Sequence, residues 1–469
     1  MLHALKPSSR KLRLIPLVAA TYFMVSGGPY GIEDILGGAG YGAAIVILLV
    51  LPFIWSLPTA LMIGELASAI PAEGGFYVWV RRALGPFWGY QEAWLSLSAS
   101  IFDMALYPSI FALYLGRFNP ALTAGPREYL WKLAVVILCC AWNLRGASKV
   151  GDDAVGLFAL LLLPFAAFTA LGMWRGFWLH PVIHWSQPAS TGPSAALSTA
   201  ILVAMWNYMG WDNASTVATE VENPQRNYPR AMIGATALVA VTYILPLAAM
   251  ALVGLSPAGF TTGSWVTAAR ALGGPVLAVC VVAGGCITGI GMFNALMLSY
   301  SRLPAAMAHD GLLPRVLTRH NSRGVPWVSV LVCGAGWAMA LNLPFERLIS
   351  IDLILYGTSL LLEFAALVVL RLREPGLPRP FRAGNFLFAC LLSTGPTALI
   401  AYALYASRNE TVAGSASALL FALAVALIGP LLYSLTTAAQ RRREPVSESS
   451  ISAPLESRVP TTLEPGPDA

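Results

Sequence analysis

Two polar interruptions stand inside otherwise apolar runs of the chain: SGGPYGIED at residues 26–34 and NYMGWDN at residues 207–213. Glycine and proline interrupt helices, and here they fall in the middle of helix-length apolar runs. In lipid an unsatisfied backbone group costs several kcal/mol, so an unwound segment persists only where it lines a cavity inside the protein. The two interruptions therefore predict two broken transmembrane helices.

The composition indicates a membrane protein. Of the 469 residues, 57% are apolar or aromatic and 11% are charged, whereas a soluble domain is roughly a quarter charged. Runs such as 154–174 are continuously apolar over the length of about 20 residues that a membrane helix needs, and they lack the alternation of a membrane barrel strand. The sequence therefore predicts an all-α integral membrane protein.

Apolar runs between polar breaks predict twelve transmembrane helices. They are centred on residues 14–36, 41–70, 87–115, 130–144, 154–174, 197–221, 232–255, 276–300, 325–343, 349–370, 386–406 and 415–438. We expect a short tail at residues 1–12, a membrane domain at residues 13–440 and a tail at residues 441–469. The second tail is rich in Ser, Pro, Thr and Glu and is expected to be disordered, because it has too few apolar residues to form a core.

The basic residues predict the orientation of the chain. With the amino terminus in the cytoplasm, 22 of the 29 Lys and Arg residues fall in cytoplasmic segments and six fall in the opposite loops. This bias follows the positive-inside rule. It predicts a multi-pass protein of the cell membrane with both termini in the cytoplasm, and it explains the net charge of +6 without nucleic acid as a partner.

The two breaks fall in predicted spans one and six. These positions correspond if spans one to five and six to ten are inverted repeats, and paired breaks of this kind mark the substrate site of secondary transporters. We therefore expect the substrate to contact residues of the breaks, namely Ser26, Gly27, Gly28, Asn207, Tyr208 and Trp211. The aromatic residues Tyr208 and Trp211 are suited to attract an ammonium group by a cation–π contact, and packing is the alternative.

Three acidic residues accompany the breaks: Glu33, Asp34 and Asp212. An acidic residue at the middle of a bilayer costs on the order of 3 kcal/mol and usually marks an ion or substrate path. Capping of the second half-helix is the alternative, because a carboxylate is stabilised at a helix N-terminus. The two roles are compatible, and all three residues are candidate substrate ligands.

The third predicted span carries polar residues on one narrow helical face, namely Glu92, Ser96, Ser100, Asp103 and Tyr107. The serines are interpreted as hydrogen-bonding between helices, whereas Asp103 and Tyr107 are candidate substrate ligands. Asp352 and Glu363 lie in the tenth span. Glu363 is the deeper of the two and is open to packing or to proton coupling. The candidates for proton coupling are Asp34, Asp103, Asp212 and Glu363.

Other classes of function find little support. The six cysteines lie in apolar runs without a CxxC or CxxH spacing, so no metal site is expected. No nucleophile–base pair points to an enzyme, and no cofactor is expected. GGAGYG at residues 37–42 follows no strand and joins two predicted membrane spans, which argues against a nucleotide loop. A non-transporting receptor or a channel is the alternative from a different class.

Several motifs resemble the amino acid-polyamine-organocation superfamily. They are SGGPYGIED at 26–34, FWGYQE at 87–92, DMALYP at 103–108, NLRG at 143–146, WNYMGWD at 206–212, EVENP at 220–224 and GLLP at 311–314. The first and third are similar to the polyamine uptake transporter branch. The resemblance implies a LeuT-type 5+5 inverted repeat, with helices 1 and 6 broken and two extra helices, and secondary active uptake of amino acids or polyamines that is commonly proton-coupled. It carries over the unwound backbone at 26–29 and Asp34, Asp103, Trp211 and Asp212.

Two departures from the family pattern bear on the substrate. The predicted fifth span contains no lysine, which some amino acid transporters of the family use in place of sodium. Pro29 removes one backbone donor from the first break, and this favours a ligand recognised by its amines over one recognised by its α-carboxylate. We expect a monomer or weak homo-oligomer that transports polyamines with protons, and a neutral or cationic amino acid transporter or exchanger is the alternative.

Overall fold

The computed structural model describes residues 11–179, 193–343, 345–409, 411–413 and 416–443. The expected tails at 1–12 and 441–469 therefore lie outside the described residues except at their inner ends. Leu12 pairs through its backbone with Glu220 and Glu222, at N–O distances of 2.9 and 2.8 Å. Residues 441–443 belong to the last described helix, which extends past the expected boundary at residue 440.

Sixteen α-helices make up most of the described chain. They are α1 (Leu14–Val25), α2 (Glu33–Leu51), α3 (Leu57–Ala69), α4 (Gly75–Leu84), α5 (Pro86–Phe118), α6 (Pro126–Asn143), α7 (Ala147–Leu179), α8 (Pro193–Asn207), α9 (Pro224–Leu252), α10 (Trp265–Tyr300), α11 (Arg302–His309), α12 (Trp327–Met339), α13 (Phe345–Arg373), α14 (Phe386–Leu392), α15 (Thr394–Ala406) and α16 (Ala418–Arg443). Strands β1 (Thr411–Ala413) and β2 (Ala416–Ser417) pair antiparallel between α15 and α16.

Eight helical stretches of the described chain are long and apolar enough to cross a membrane. They are Glu33–Ala69, Pro86–Phe118, Ala147–Trp178, Pro224–Leu252, Trp265–His309, Leu348–Arg373, Phe386–Ala406 and Ala418–Ala438. Two shorter apolar helices, α1 and α12, accompany them, and the predicted fourth and sixth spans overlap α6 and α8. The prediction of an all-helical membrane fold is confirmed.

Both predicted helix breaks are confirmed. The first separates α1 from α2, and in it Gly28 and Gly31 have φ of 72° and 93°. The second follows α8, and in it Gly210 has φ of 92°. Positive φ is accessible to glycine at little cost, and this explains the residue type at these turns.

The segment after the second break is a 3₁₀-helix (Trp211–Thr216) and not the α-helix that the sequence suggests. Backbone carbonyls of this segment accept hydrogen bonds from side chains. Thr216 Oγ1 donates to the carbonyl of Asn213 at 2.9 Å, and the Tyr228 hydroxyl donates to that of Ala214 at 2.7 Å. These acceptors therefore have partners without the hydrogen bonds of an α-helix.

The boundary between the first two predicted spans differs from the expectation. Helical structure runs from Glu33 to Ala69, with a π-helical segment (Pro52–Ser56) between α2 and α3. The change of direction falls at Gly40, whose φ and ψ are 72° and 175°. Residues 33–39 thus form the second part of the broken first span, and a separate connecting loop is unnecessary because a single glycine provides the turn.

Helix α5 lies in the interior of the bundle and packs against α10 and α13. Arg82, just before the start of α5, binds Glu374, just after the end of α13, with an Nε–Oε1 distance of 2.9 Å. The two helices are therefore antiparallel. This packing brings the polar face of α5 opposite the acidic residues of α13.

One end of the bundle carries buried or partly buried arginine ion pairs, and we call it the basic end. Arg371 and Arg379 both bind Glu65 there, and Arg302 binds Glu220 at 2.9 Å. A further pair joins Arg81 to Asp310. The opposite end contains the loop before α10, at residues 260–264.

Candidate functional site

The backbone of the first break is held by side chains of α10. The Gly27 carbonyl accepts from Thr288 Oγ1 at 2.8 Å, and the Pro29 carbonyl accepts from Trp265 Nε1 at 2.7 Å. Within the break, the Gly28 N–H donates to Ser26 Oγ at 3.0 Å. A Cβ at Gly27 would lie 2.2 Å from Thr288 Cγ2, so the contact requires glycine. The break is thus a fixed part of the structure.

Asn207 joins the two breaks. Its Nδ2 donates to the Gly31 carbonyl at 3.2 Å, and its backbone carbonyl accepts from the Tyr243 hydroxyl at 2.7 Å. A Cβ at Gly210 would lie 2.5 Å from the Met24 carbonyl oxygen, so the second break passes close to the end of α1. The structure therefore brings together the two segments that the sequence singles out.

Asp212 is buried beside the second break and is hydrogen-bonded by a tyrosine of α13. The Tyr356 hydroxyl donates to Asp212 Oδ1 at 2.5 Å and accepts from the Gly210 N–H at 3.0 Å. The side chain of Asp212 is 1% exposed. Tyr356, which the sequence analysis did not single out, thus connects the break backbone to the buried carboxylate.

Asp103 lies among aromatic residues next to the first break. It accepts from the Tyr107 hydroxyl, and the polar groups of Trp206 and Tyr300 lie near it. The rings of Tyr107 and Trp206 stack at 6.4 Å between centroids, and a Cβ at Gly31 would meet Trp206 at 3.2 Å. Trp206 is therefore a further aromatic side chain beside Asp103, and the sequence analysis missed it although it directly precedes the second break.

Tyr208 and Trp211 instead make packing contacts. The Tyr208 hydroxyl donates to the Leu48 carbonyl at 2.9 Å, and Trp211 Nε1 donates to the Tyr208 carbonyl at 2.7 Å. Both side chains are fully buried. These contacts match the packing alternative for the two residues.

Asp352 on α13 is a third buried acidic residue near Asp103 and Asp212. Its carboxyl is close enough to those two carboxyls for their charges to interact, and its side chain is fully buried. Neither carboxylate oxygen has a hydrogen-bond partner among the described residues. The sequence signal for Asp352 is an acidic residue within the predicted tenth span, whereas its place beside Asp103 depends on the packing of α13 against α5.

Glu33 and Asp34 face the loop before α10. Glu33 accepts from the Gly263 N–H at 2.9 Å, from the Gly31 N–H at 2.7 Å and from the Tyr114 hydroxyl. Asp34 accepts from the N–H and hydroxyl of Thr262, at 3.2 and 2.5 Å. These donors all lie outside α2, so the contacts hold the start of α2 to the loop and are not caps of its own N–H groups.

Glu363 and Glu92 lie nearer the basic end than Asp212 does. The charge of Glu363 acts on those of Asp212 and Glu92, and both glutamates are fully buried. Two further acidic residues, Glu92 on α5 and Glu363 on α13, thus lie towards the basic end from Asp103 and Asp352. In the ranges that the structure describes, no group of His, Cys, Asp and Glu side chains has an arrangement that could hold a metal ion.

The bond from Tyr356 to Asp212 should contribute measurably to stability. Tyr356→Phe removes one partner from Asp212 and one from the Gly210 N–H, and a buried polar group without a partner costs about 1–3 kcal/mol. We expect a lower melting temperature in detergent, measured by tryptophan fluorescence. Tyr405→Phe, at an exposed position, is the control, and equal melting temperatures for the two variants would contradict the prediction.

Comparison with known proteins is consistent with this arrangement. The family model described as amino acid permease matches residues 18–432. Polyamine transporter PUT1 of Oryza sativa subsp. japonica is 34% identical over 420 residues, which cover 88% of this chain and 77% of the relative. Polyamine transporter RMV1 of Arabidopsis thaliana is 34% identical over 425 residues, covering 90% and 84%.

A bacterial protein is also similar at lower identity. The serine/threonine exchanger SteT of Bacillus subtilis (strain 168) is 26% identical over 360 residues, which cover 72% of this chain and 78% of the relative. The family match spans nearly all of the helical bundle, including both breaks. The chain belongs to the amino acid permease family.

Proposed function

We propose that the chain is a secondary active transporter that takes up linear polyamines together with protons. The observation that carries the proposal is the buried group of Asp103, Asp212 and Asp352 beside the two helix breaks. The charges that act on Asp352 are those of the other two carboxyls. A buried carboxylate costs several kcal/mol unless a cation or a proton accompanies it, and an ammonium group of a substrate supplies the cation.

The first break is poorly suited to bind a substrate carboxylate. Pro29 has no N–H, the Gly28 N–H donates to Ser26, and the Gly31 N–H donates to Glu33. Two potential donors are therefore engaged within the segment and a third is absent. Ser26, Gly27 and Gly28 are proposed to contact substrate through remaining backbone groups, with Asn207 positioning the segment.

Aromatic side chains complete the proposed amine site. Trp206 and Tyr107 stack beside Asp103, and an aromatic face next to a carboxylate stabilises an ammonium group by cation–π attraction. Tyr208, Trp211, Glu33 and Asp34 remain proposed site residues, and their contacts favour a supporting role.

Proton coupling follows from the same chemistry. A buried carboxyl that no ammonium group contacts is stabilised by binding a proton instead. We propose that, among Asp103, Asp212 and Glu363, with Asp34 as a further candidate at the opposite end, at least one carboxyl carries a proton while others hold the ammonium groups, so that proton and substrate cross together. A transporter that used these groups would couple amine uptake to an inward proton gradient.

The proposed architecture is a LeuT-type 5+5 inverted repeat with two extra helices, twelve spans in all, at residues 13–440. The breaks after α1 and α8 support it, because they fall in corresponding spans of the two repeats. The arginines of the basic end support placing that end, and both termini, in the cytoplasm of a cell membrane. Alternating access then occurs by rocking of one part of the bundle around the breaks.

Labelled spermidine uptake into liposomes that contain the purified protein tests the proposal. We expect saturable uptake that increases when the outside is made acidic and that falls when a protonophore dissipates the gradient. Liposomes without protein are the control. Absence of uptake would contradict the proposal that polyamines are the substrate. Uptake that the protonophore does not change at constant membrane potential would contradict the proposed proton coupling.

Transport of amino acids is the second candidate, and the similarity to a protein named a serine/threonine exchanger supports it. It predicts that serine and threonine compete with labelled substrate better than polyamines do. Counterflow of labelled serine against unlabelled serine inside the liposomes would favour exchange.

A further inference from the structure

Glu92 and Glu363 form a pair of buried acidic residues that the amine site near Asp103 does not use. Both side chains are 0% exposed, and their charges act on each other. Glu92 Oε1 accepts from Ser96 Oγ at 2.8 Å. Glu92 Oε2 and both oxygens of Glu363 have no hydrogen-bond partner among the described residues.

The chain repeats this arrangement at a fixed distance. Glu92 and Asp103 are eleven residues apart on α5, and Asp352 and Glu363 are eleven residues apart on α13. Eleven residues are close to three helical turns, so each helix presents its two carboxyls on one face. At a rise of 1.5 Å per residue, the two positions are separated by about 16 Å along the helix axis.

The two helices place these carboxyls in matching pairs. The contact between Arg82 and Glu374 sets the register of the two antiparallel helices. Glu92 and Glu363 lie 10 and 11 residues from that contact, and Asp103 and Asp352 lie 21 and 22 residues from it, so the members of each pair lie at about the same level. The charge interactions agree, since Asp352 acts with Asp103 and Glu363 acts with Glu92. Asp212 acts with members of both pairs and therefore lies between them.

Unpaired carboxyls at this depth need either a bound proton or a compensating cation. Leaving a charged group buried without a partner is strongly unfavourable, and the charges that act on Glu92 and Glu363 are themselves negative. The nearest arginine along α13, Arg371, is engaged by Glu65. A mobile cation that enters along the line of carboxyls would satisfy the pair.

We propose that Glu92 and Glu363 form a second ammonium subsite, so that a linear polyamine long enough to reach both pairs binds more tightly than a diamine. An extended tetraamine such as spermine matches the separation of the pairs, whereas putrescine is less than half as long. The inference rests on the proposed function, because it requires an amine substrate. It assigns to Glu92 and Glu363 the role of discriminating between amine substrates of different length.

Displacement of labelled spermidine from the purified protein by spermine and by putrescine tests the subsite. Glu363→Gln removes one charge-assisted contact, so we expect spermine affinity to fall on the order of 10- to 100-fold and putrescine affinity to change less than about twofold. Glu92→Gln should act in the same direction. Glu363→Asp, which keeps the charge, should retain part of the preference for spermine.

Glu222→Gln is the matched control, because Glu222 is a half-exposed carboxyl at the basic end. It should leave the ratio of the two affinities unchanged. If the ratio of spermine affinity to putrescine affinity is unchanged in Glu363→Gln and Glu92→Gln, the subsite is overturned and the proposed function is not. This holds also if the variants change proton coupling alone. Failure of the wild-type protein to bind either amine would overturn the proposed function and the subsite with it.

Discussion

Asp212→Asn is expected to reduce spermidine uptake on the order of 100-fold or more. Asp212 is buried at the second break and interacts with the carboxyls on α5 and α13. Removing one partner of a buried charge pair costs about 2–5 kcal/mol, and each 1.4 kcal/mol is a factor of ten. Asparagine has nearly the same shape, and its carbonyl oxygen can still accept from Tyr356.

Uptake should be measured as an initial rate, normalised to the amount of protein in the liposomes. The melting temperature of the Asp212→Asn variant should stay near that of the wild type, which separates loss of substrate binding from loss of fold. Glu222→Gln should transport normally. Uptake by the Asp212→Asn variant within about twofold of the wild type would show that this carboxylate does not bind the substrate.

Glu65→Ala is expected to have the largest effect on stability. Glu65 is fully buried and accepts from Arg371 Nε at 2.9 Å and from the Ala383 N–H at 2.8 Å. Arg379 Nε lies 3.2 Å from its carboxylate. The substitution leaves two guanidinium groups uncompensated, and breaking a buried ion pair costs about 3–5 kcal/mol.

Glu374→Gln is the matched control because its ion pair with Arg82 is more exposed. The hydrogen bond from Arg82 lowers the pKa of the Glu374 carboxyl, so the pair is formed at neutral pH and is lost as the pH falls through that lowered value. An exposed pair contributes about 0–1 kcal/mol. A melting temperature for Glu65→Ala no lower than that for Glu374→Gln would contradict the prediction.

The two helix breaks could be predicted from the sequence because the residues that cause them lie within the breaks themselves. Glycine, proline and polar residues inside apolar runs report a helix interruption without knowledge of the fold, and both interruptions are present at the predicted residues. The all-helical membrane fold follows in the same way from composition and the length of apolar runs. These features depend on neighbours in sequence.

The partners of the acidic residues depend on long-range packing. Glu33 meets the Gly263 N–H, 230 positions away, and its role in holding the loop is therefore invisible in the pattern around residue 33. Asp352 acquires its neighbours only because α13 packs antiparallel to α5. The 3₁₀-helix after Gly210 likewise depends on Tyr228, which lies on the following helix.

Competition for labelled spermidine on the purified protein distinguishes a polyamine site from an amino acid site. Unlabelled spermidine, spermine, serine and threonine would be compared at equal concentrations, in the wild-type protein and in Asp212→Asn. We expect the polyamines to displace the label, the amino acids not to displace it, and the Asp212→Asn variant to bind little label. Displacement by serine or threonine in preference to polyamines would contradict this expectation.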